Sequence, residues 1–170
     1  MKRNFFICLV ALILYVPMLF AQSKTPQQKR LSLFGVQLGC TKAEFYSKLQ
    51  SKDEYNNFAE LLGENVVKAG ISPNYYAIEK DEDIIYQPTV MVSVKYDFHL
   101  NEIYNLFRSL LSAKYGSFES GYMDNRTPCL LWNLSYGQIM MWRHSSTEIA
   151  IQYTDYTALK TKNAVLYDLL

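Results

Sequence analysis

Between residues 89 and 153, the spacing of apolar residues is first that of a strand, then that of a helix, and then that of strands again. This order constrains the fold most strongly. Val90, Val92, Val94 and Tyr96 alternate with Met91, Ser93 and Lys95, which predicts a strand with one buried face. The range Leu100–Tyr115 carries apolar residues at helical spacing, and three alternating segments follow between 130 and 153 as a meander. A helix among antiparallel strands favours an α+β fold, with a mostly antiparallel sheet and helices packed on one face.

The bounds of these elements follow from local signals. Asn101 is a suitable N-cap for the long helix, and Gly116 is suited to end it. The polar stretch Ser117–Pro128 predicts a loop, and a further helix is expected from about Thr157.

The first half of the chain has weaker signals. Leu31–Leu38 predicts a strand, and Thr41–Glu44 is a capping box that opens a helix ending near Lys52. Tyr55–Leu62 fits either a short helix or a strand, and Asn74–Glu79 predicts a strand. A helix followed by strands therefore occurs twice, which is a weak indication of a two-part repeat.

The N-terminus has the layout of a secretory signal peptide. Lys2 and Arg3 precede an apolar run over Phe5–Phe20, and Ala21 supplies a small residue for cleavage. We therefore expect a leader over residues 1–21, a flexible tether over 22–30 and one α+β domain over 31–170, in the periplasm or outside the cell. The alternative is a leader kept as a membrane anchor; once it is cleaved, no membrane span is expected.

Cleavage changes the charge balance of the chain. Lys2 and Arg3 leave with the leader, so 15 of the 17 basic residues remain, together with all 16 acidic ones. Nucleic-acid binding normally needs a basic surface, so nucleic acid is not expected as a partner.

Cleavage also leaves two cysteines, Cys40 and Cys129, in an oxidising compartment. A disulfide between them would close a loop of about 90 residues and could stabilise the fold by roughly 4 kcal/mol. The alternative is two buried thiols that act as small apolar residues.

No catalytic, metal or cofactor motif is recognisable. His99 lies beside Asp97 and could serve as a base oriented by a carboxylate, and His144 ends a predicted strand. Neither histidine has the spacing of a metal site, so no metal and no cofactor are expected. The interpretation that both are ordinary polar residues at element ends is favoured.

Aromatic residues are the most informative part of the composition, with 14 tyrosines in the full chain. Tyrosine and tryptophan make rigid amphipathic contacts with proteins and stack on sugars. The candidate binding residues are those near turns or in less regular regions: Tyr75, Tyr76, Tyr122, Trp142 and Tyr156. The alternative is that these rings fill a small β-rich core.

Several segments together resemble a group of small uncharacterised exported proteins of gut-type Gram-negative bacteria. They are the range Phe34–Gly39, the ending Leu111–Gly116, the hairpin around Trp132–Ile139 and the range Ile149–Asp155. The resemblance implies an exported α+β domain and supplies no activity, ligand or catalytic residue. At the level of fold, the helix-then-meander order is similar to modules of the β-lactamase-inhibitor-protein type, which bind other proteins.

The sequence therefore favours an exported binding protein that is not an enzyme and whose partner is another envelope protein or a glycan. The first alternative is a small exported hydrolase that uses His99 or His144. The second is an inhibitor or immunity-type protein.

Overall fold

The structure, a computed structural model, describes residues 29–71 and 84–160. Within them the chain forms four helices with complete bounds and eight strands. The helices are α1 (Lys42–Gln50), α2 (Asp53–Asn56), α3 (Phe58–Leu61) and α4 (Asp97–Tyr115). The strands are β1 (Ser32–Leu33), β2 (Val36–Gln37), β3 (Val66–Ile71), β4 (Thr89–Val94), β5 (Glu119–Met123), β6 (Thr127–Leu134), β7 (Gly137–Arg143) and β8 (Glu148–Asp155). Residues 156–160 are also helical.

Six of the strands form one antiparallel sheet in the order β3-β4-β8-β7-β6-β5. The long helix α4 carries the chain from β4 to the far edge, where β5 begins a four-stranded meander that returns to β4. The predicted α+β fold with a mostly antiparallel sheet is therefore confirmed. No described helix is both long enough and apolar enough to cross a bilayer.

The main core lies between one face of this sheet and α4. The predicted alternation in β4 is confirmed, because Val90, Val92 and Val94 are all buried on this face. The helix contributes a buried stripe at helical spacing: Leu100, Ile103, Phe107 and Leu111. The strands of the meander contribute Trp132, Ile139, Ile149 and Ile151, each at most 1% exposed. Helix and sheet thus bury matching apolar surfaces, which is the main source of stability.

The predicted capped helix is also confirmed. Thr41 is the N-cap of α1, and its hydroxyl accepts a hydrogen bond from the Glu44 backbone N–H at 3.3 Å. Phe45 and Leu49 are fully buried, as their spacing predicts. The ambiguous range that follows forms two short helices, α2 and α3, while the predicted strand over Asn74–Glu79 lies outside the described residues.

Three predicted boundaries were wrong. The strand predicted over Leu31–Leu38 is a hairpin of β1 and β2, because Phe34 and Gly35 at its turn both have positive φ. The helix predicted from Leu100 begins at Asp97, so Asn101 lies inside α4 and not at its cap. The loop predicted before β6 contains the strand β5, because pairing along a whole strand stabilises polar residues that have no apolar pattern.

The second face of the sheet carries a separate cluster that consists of strand residues only. Cys129, Trp142 and Ala150 are buried at its centre, each at most 3% exposed. The side chains packed against them are Met91, Met123, Leu131 and Met140. We call this set the second-face cluster.

Of the two alternatives for the cysteines, the structure has the free thiols, at both Cys40 and Cys129. Cys40 packs against the main core, whereas Cys129 belongs to the second-face cluster. The sheet separates these two clusters, so a bond between the thiols would require a large movement of the backbone.

We expect the protein to keep both thiols after oxidation in air. Burial raises the pKa of the Cys129 thiol. The pKa of the Cys40 thiol is also raised, mainly by burial and secondly by the negative charge of Glu44. Both thiols therefore form the reactive thiolate less readily. In the folded protein, maleimide should label the half-buried Cys40 more slowly than it does after unfolding, and should label the buried Cys129 at least tenfold more slowly than Cys40, as read by mass spectrometry. A Cys40–Cys129 linked peptide in a non-reducing digest would contradict this.

Candidate functional site

The junction between β4 and α4 places aromatic side chains at the surface. Tyr96 has an extended backbone, with φ of −139° and ψ of 151°, and it precedes the first turn of α4 without capping it through its side chain. Its carbonyl accepts a hydrogen bond from the His99 backbone N–H at 3.1 Å, which begins the helix. Tyr96 and Phe98 are both exposed, whereas the valines of β4 that precede them are buried.

These side chains form a stacked set that we call the aromatic platform, defined by Tyr96, Phe98 and His99. The Tyr96 and Phe98 rings are nearly parallel, with 9° between their planes and 5.4 Å between centroids. The His99 ring packs on Phe98 at 4.2 Å. Tyr96 is 49% exposed and Phe98 is 65% exposed, which is unusual for large rings. Exposed, mutually stacked rings indicate a surface suited to contact with another molecule.

A cavity of about 340 Å³ opens beside the platform, between the start of α4 and the turn that joins β7 to β8. Its lining is mostly polar: Asp97, Phe98, Leu100, Asn101, Arg143, Ser145 and Ser146. We call it the polar cavity. Phe98 belongs to both the platform and the cavity, so the two form one continuous surface.

Arg143 is held in place at the wall of the polar cavity. Its guanidinium donates a hydrogen bond to the Asn101 Oδ1 atom and lies over the Tyr104 ring, 5.2 Å from the centroid. Burial raises the pKa of the Tyr104 phenol, and the positive charge of Arg143 acts in the opposite direction. These contacts reduce the freedom of the guanidinium, so that less entropy is lost when it binds a ligand.

The opposite wall of the cavity is a turn held together by Glu148. The Glu148 carbonyl accepts hydrogen bonds from the backbone N–H groups of His144, at 2.8 Å, and Ser145, at 3.3 Å. Its carboxylate accepts a hydrogen bond from the Ser93 hydroxyl of β4 at 3.1 Å. The two serines of the cavity therefore lie on a turn that is anchored to the sheet.

The three predicted aromatic binding residues that the structure describes do not come together. Tyr122 is 70% exposed on β5, whereas Trp142 is 3% exposed in the second-face cluster. Tyr156 lies at the end of β8 and donates its backbone N–H to the Tyr136 carbonyl at 3.1 Å. Tyr75 and Tyr76 lie outside the described residues.

The two histidines lie beside the polar cavity and not in its lining. His99 contacts the aromatic platform, and its neighbours Phe98 and Leu100 line the cavity. His144 is exposed in the turn, between the lining residues Arg143 and Ser145. Among the described residues, no group of three His, Cys, Asp or Glu side chains could hold a metal ion.

Sequence reasoning missed Tyr96 and Phe98 as surface residues, because Tyr96 continues the alternation of the buried valines in β4. A signal was nevertheless present: residues 96–99 place three rings within four positions at a junction between a strand and a helix. Arg143 carried no signal, since its contact with Asn101 joins residues 42 positions apart.

Comparison with protein-family models, with curated proteins and with solved structures found no match to this chain.

Proposed function

We propose that this is an exported binding protein, periplasmic or extracellular, that is not an enzyme and that binds a glycan at the aromatic platform and the polar cavity. Export is supported by the basic start, the apolar run and the small residue of the N-terminal leader. The observation that carries the choice of ligand is the exposed Tyr96–Phe98 stack, with 5.4 Å between ring centroids, directly beside the polar cavity.

A sugar ring matches this surface in two ways. Its apolar C–H face can pack on the exposed Phe98 ring, whose face is electron-rich. Its hydroxyl groups, which both donate and accept, can bond to the Asp97 carboxylate, the Arg143 guanidinium and the serine hydroxyls of the turn. A protein partner would more often meet an apolar centre with a polar rim, whereas here polar groups line the cavity itself.

The hydrolase alternative has less support. A general base must come within hydrogen-bond reach of the proton that it removes. The polar cavity is lined by the residues on either side of His99 and His144, and the His99 ring packs against Phe98 and Tyr96.

Calorimetric titration of the protein with linear oligosaccharides of glucose, mannose and N-acetylglucosamine tests the proposal. We expect at least one series to bind, with affinity that rises with chain length. Phe98→Ala and Tyr96→Ala should each weaken binding tenfold or more, which corresponds to about 1.4 kcal/mol. Tyr96→Phe keeps the ring face and should change affinity less than threefold.

Tyr122→Ala is the matched control, because it removes an exposed ring of similar size from β5. We expect it to leave glycan affinity unchanged. The absence of binding across the three series, or equal losses in Tyr122→Ala and Phe98→Ala, would overturn the proposal.

A further inference from the structure

The two edges of the six-stranded sheet differ in how they are protected. A free edge exposes backbone N–H and C=O groups that can pair with another strand, and proteins commonly block this with lysine, proline or a bulge. At one edge, β3 has a register shift between Val66 and Lys68, and Lys68 adds a charge. At the other edge, the five residues Glu119–Met123 of β5 pair with β6 without a shift and contain no lysine or proline.

The turn between β6 and β7 determines which backbone groups of β6 are directed toward β5. It contains two residues, so the pair Leu134–Gly137 that closes it exchanges both of its backbone hydrogen bonds. Because bonding alternates along an antiparallel strand, Leu134, Trp132 and Leu130 bond toward β7. Cys129 and Leu131 therefore direct their N–H and C=O groups toward β5.

The partners of these residues in β5 are Gly121, opposite Cys129, and Glu119, opposite Leu131. Ser120 lies between Glu119 and Gly121, and Tyr122 follows Gly121. Because the direction of the backbone groups alternates along a strand, the N–H and C=O groups of Ser120 and Tyr122 are directed away from β6, into solvent. Pro128, which pairs with Tyr122, agrees with this assignment because it has no N–H to donate to β5. Four backbone groups are thus aligned and free along this edge, since within the described residues the sheet ends at β5.

We propose that β5 is a self-association edge, at which two copies of this chain pair their β5 strands antiparallel about a two-fold axis through Gly121. In this register, Ser120 of each copy faces Tyr122 of the other, and the outward backbone groups of both pairs exchange four hydrogen bonds. The two sheets would then join into one of twelve strands. The proposal is independent of glycan binding, because β5 lies at the edge farthest from β4.

A second copy fits this edge better than an unrelated strand because the edge is complementary to itself. The only charged residue of β5, Glu119, faces Met123 of the second copy, so no like charges meet. The small Ser120 leaves room for the opposing Tyr122 ring, which is 70% exposed in the single chain. That ring also lies diagonal to Phe118, which is 36% exposed and packs on Trp132 at 5.6 Å. The pairing thus covers two exposed rings that the single chain leaves in water.

Sedimentation velocity over a wide range of protein concentrations tests the proposal. We expect a reversible monomer–dimer equilibrium. Tyr122→Lys should shift the equilibrium to monomer at every concentration, because it places a charge at the paired edge. Ser120→Pro should do the same while preserving the β5–β6 ladder, since it removes only an outward N–H. Val67→Lys is the matched control, a lysine at a 66% exposed residue of β3, and it should leave the dimer intact.

Directed cross-linking tests the register. Facing residues of an antiparallel pair lie about 5.5 Å apart between Cα atoms, which suits a disulfide. An oxidised mixture of Ser120→Cys and Tyr122→Cys proteins should therefore give more of the mixed dimer than either variant gives alone. A monomer at all concentrations would overturn the proposal, and so would a dimer that Tyr122→Lys and Ser120→Pro leave unchanged. Capture of an extended peptide by a chain that remains monomeric would show that the edge binds another strand and would also overturn it.

Discussion

We expect Trp132→Ala to destabilise the protein by about 3–5 kcal/mol, the largest effect of any single substitution considered. The Trp132 side chain is fully buried in the main core, so its removal leaves a cavity that rigid strands on both sides cannot close. The indole N–H also donates a hydrogen bond to the Gly116 carbonyl at 3.1 Å, which ties the end of α4 to the sheet. Chemical denaturation monitored by circular dichroism would measure the free energy of unfolding.

Trp132→Phe separates the two contributions. It retains most of the apolar volume but leaves the Gly116 carbonyl without its indole donor, so we expect a loss of about 1–3 kcal/mol. If alanine and phenylalanine cost the same, the hydrogen bond and not the packing would dominate. A loss below about 1 kcal/mol for Trp132→Ala would contradict the assignment of this residue to the core.

We expect Asp155→Ala to cost about 2–4 kcal/mol, the second largest effect. Asp155 is fully buried at the end of β8, and its two carboxylate oxygens have different partners. Oδ2 accepts the Leu31 backbone N–H at 3.1 Å, and Oδ1 accepts the Ala158 backbone N–H at 2.9 Å and so caps the helical residues 156–160. The alanine variant leaves both donors unsatisfied, in a place that water does not reach.

Asp155→Ser provides the control, because its single hydroxyl can still cap the helix but cannot also reach the Leu31 N–H. The free energy of unfolding of Asp155→Ser should lie about midway between those of the native protein and Asp155→Ala, again measured by denaturation. Hydrogen exchange at the Leu31 amide should accelerate in both variants. An unchanged Leu31 amide in Asp155→Ala would show that this hydrogen bond does not hold the N-terminal segment to the sheet.

The parts of the fold that were predictable are those in which local pattern and tertiary packing agree. The valines of β4, the apolar stripe of α4 and the Thr41 cap each have a signal within a few residues, because one buried face imposes its period directly. β5 has no such signal. Its burial pattern is mostly exposed, and only its pairing with β6 makes it a strand.

The candidate site was predictable only in part. Aromatic residues were expected to form a binding surface, but the residues chosen from the sequence are dispersed: Trp142 is buried, and Tyr122 lies on an edge strand. The platform depends on the direction in which the chain leaves β4, and the polar cavity depends on the approach of the β7–β8 turn to α4. Neither that direction nor that approach can be read from the spacing of residues along the chain.

The class of fold and the amphipathic faces of its main elements follow from the amino-acid sequence, since side-chain period is a local property of helices and strands. The basic start and the apolar run at its N-terminus support the proposed export. Three further features depend on tertiary packing: Cys40 and Cys129 lie in separate clusters, Arg143 contacts Asn101, and β5 ends the sheet within the described residues. These outcomes depend on which strands become neighbours, and strand order is set by packing of the whole chain and not by any single segment.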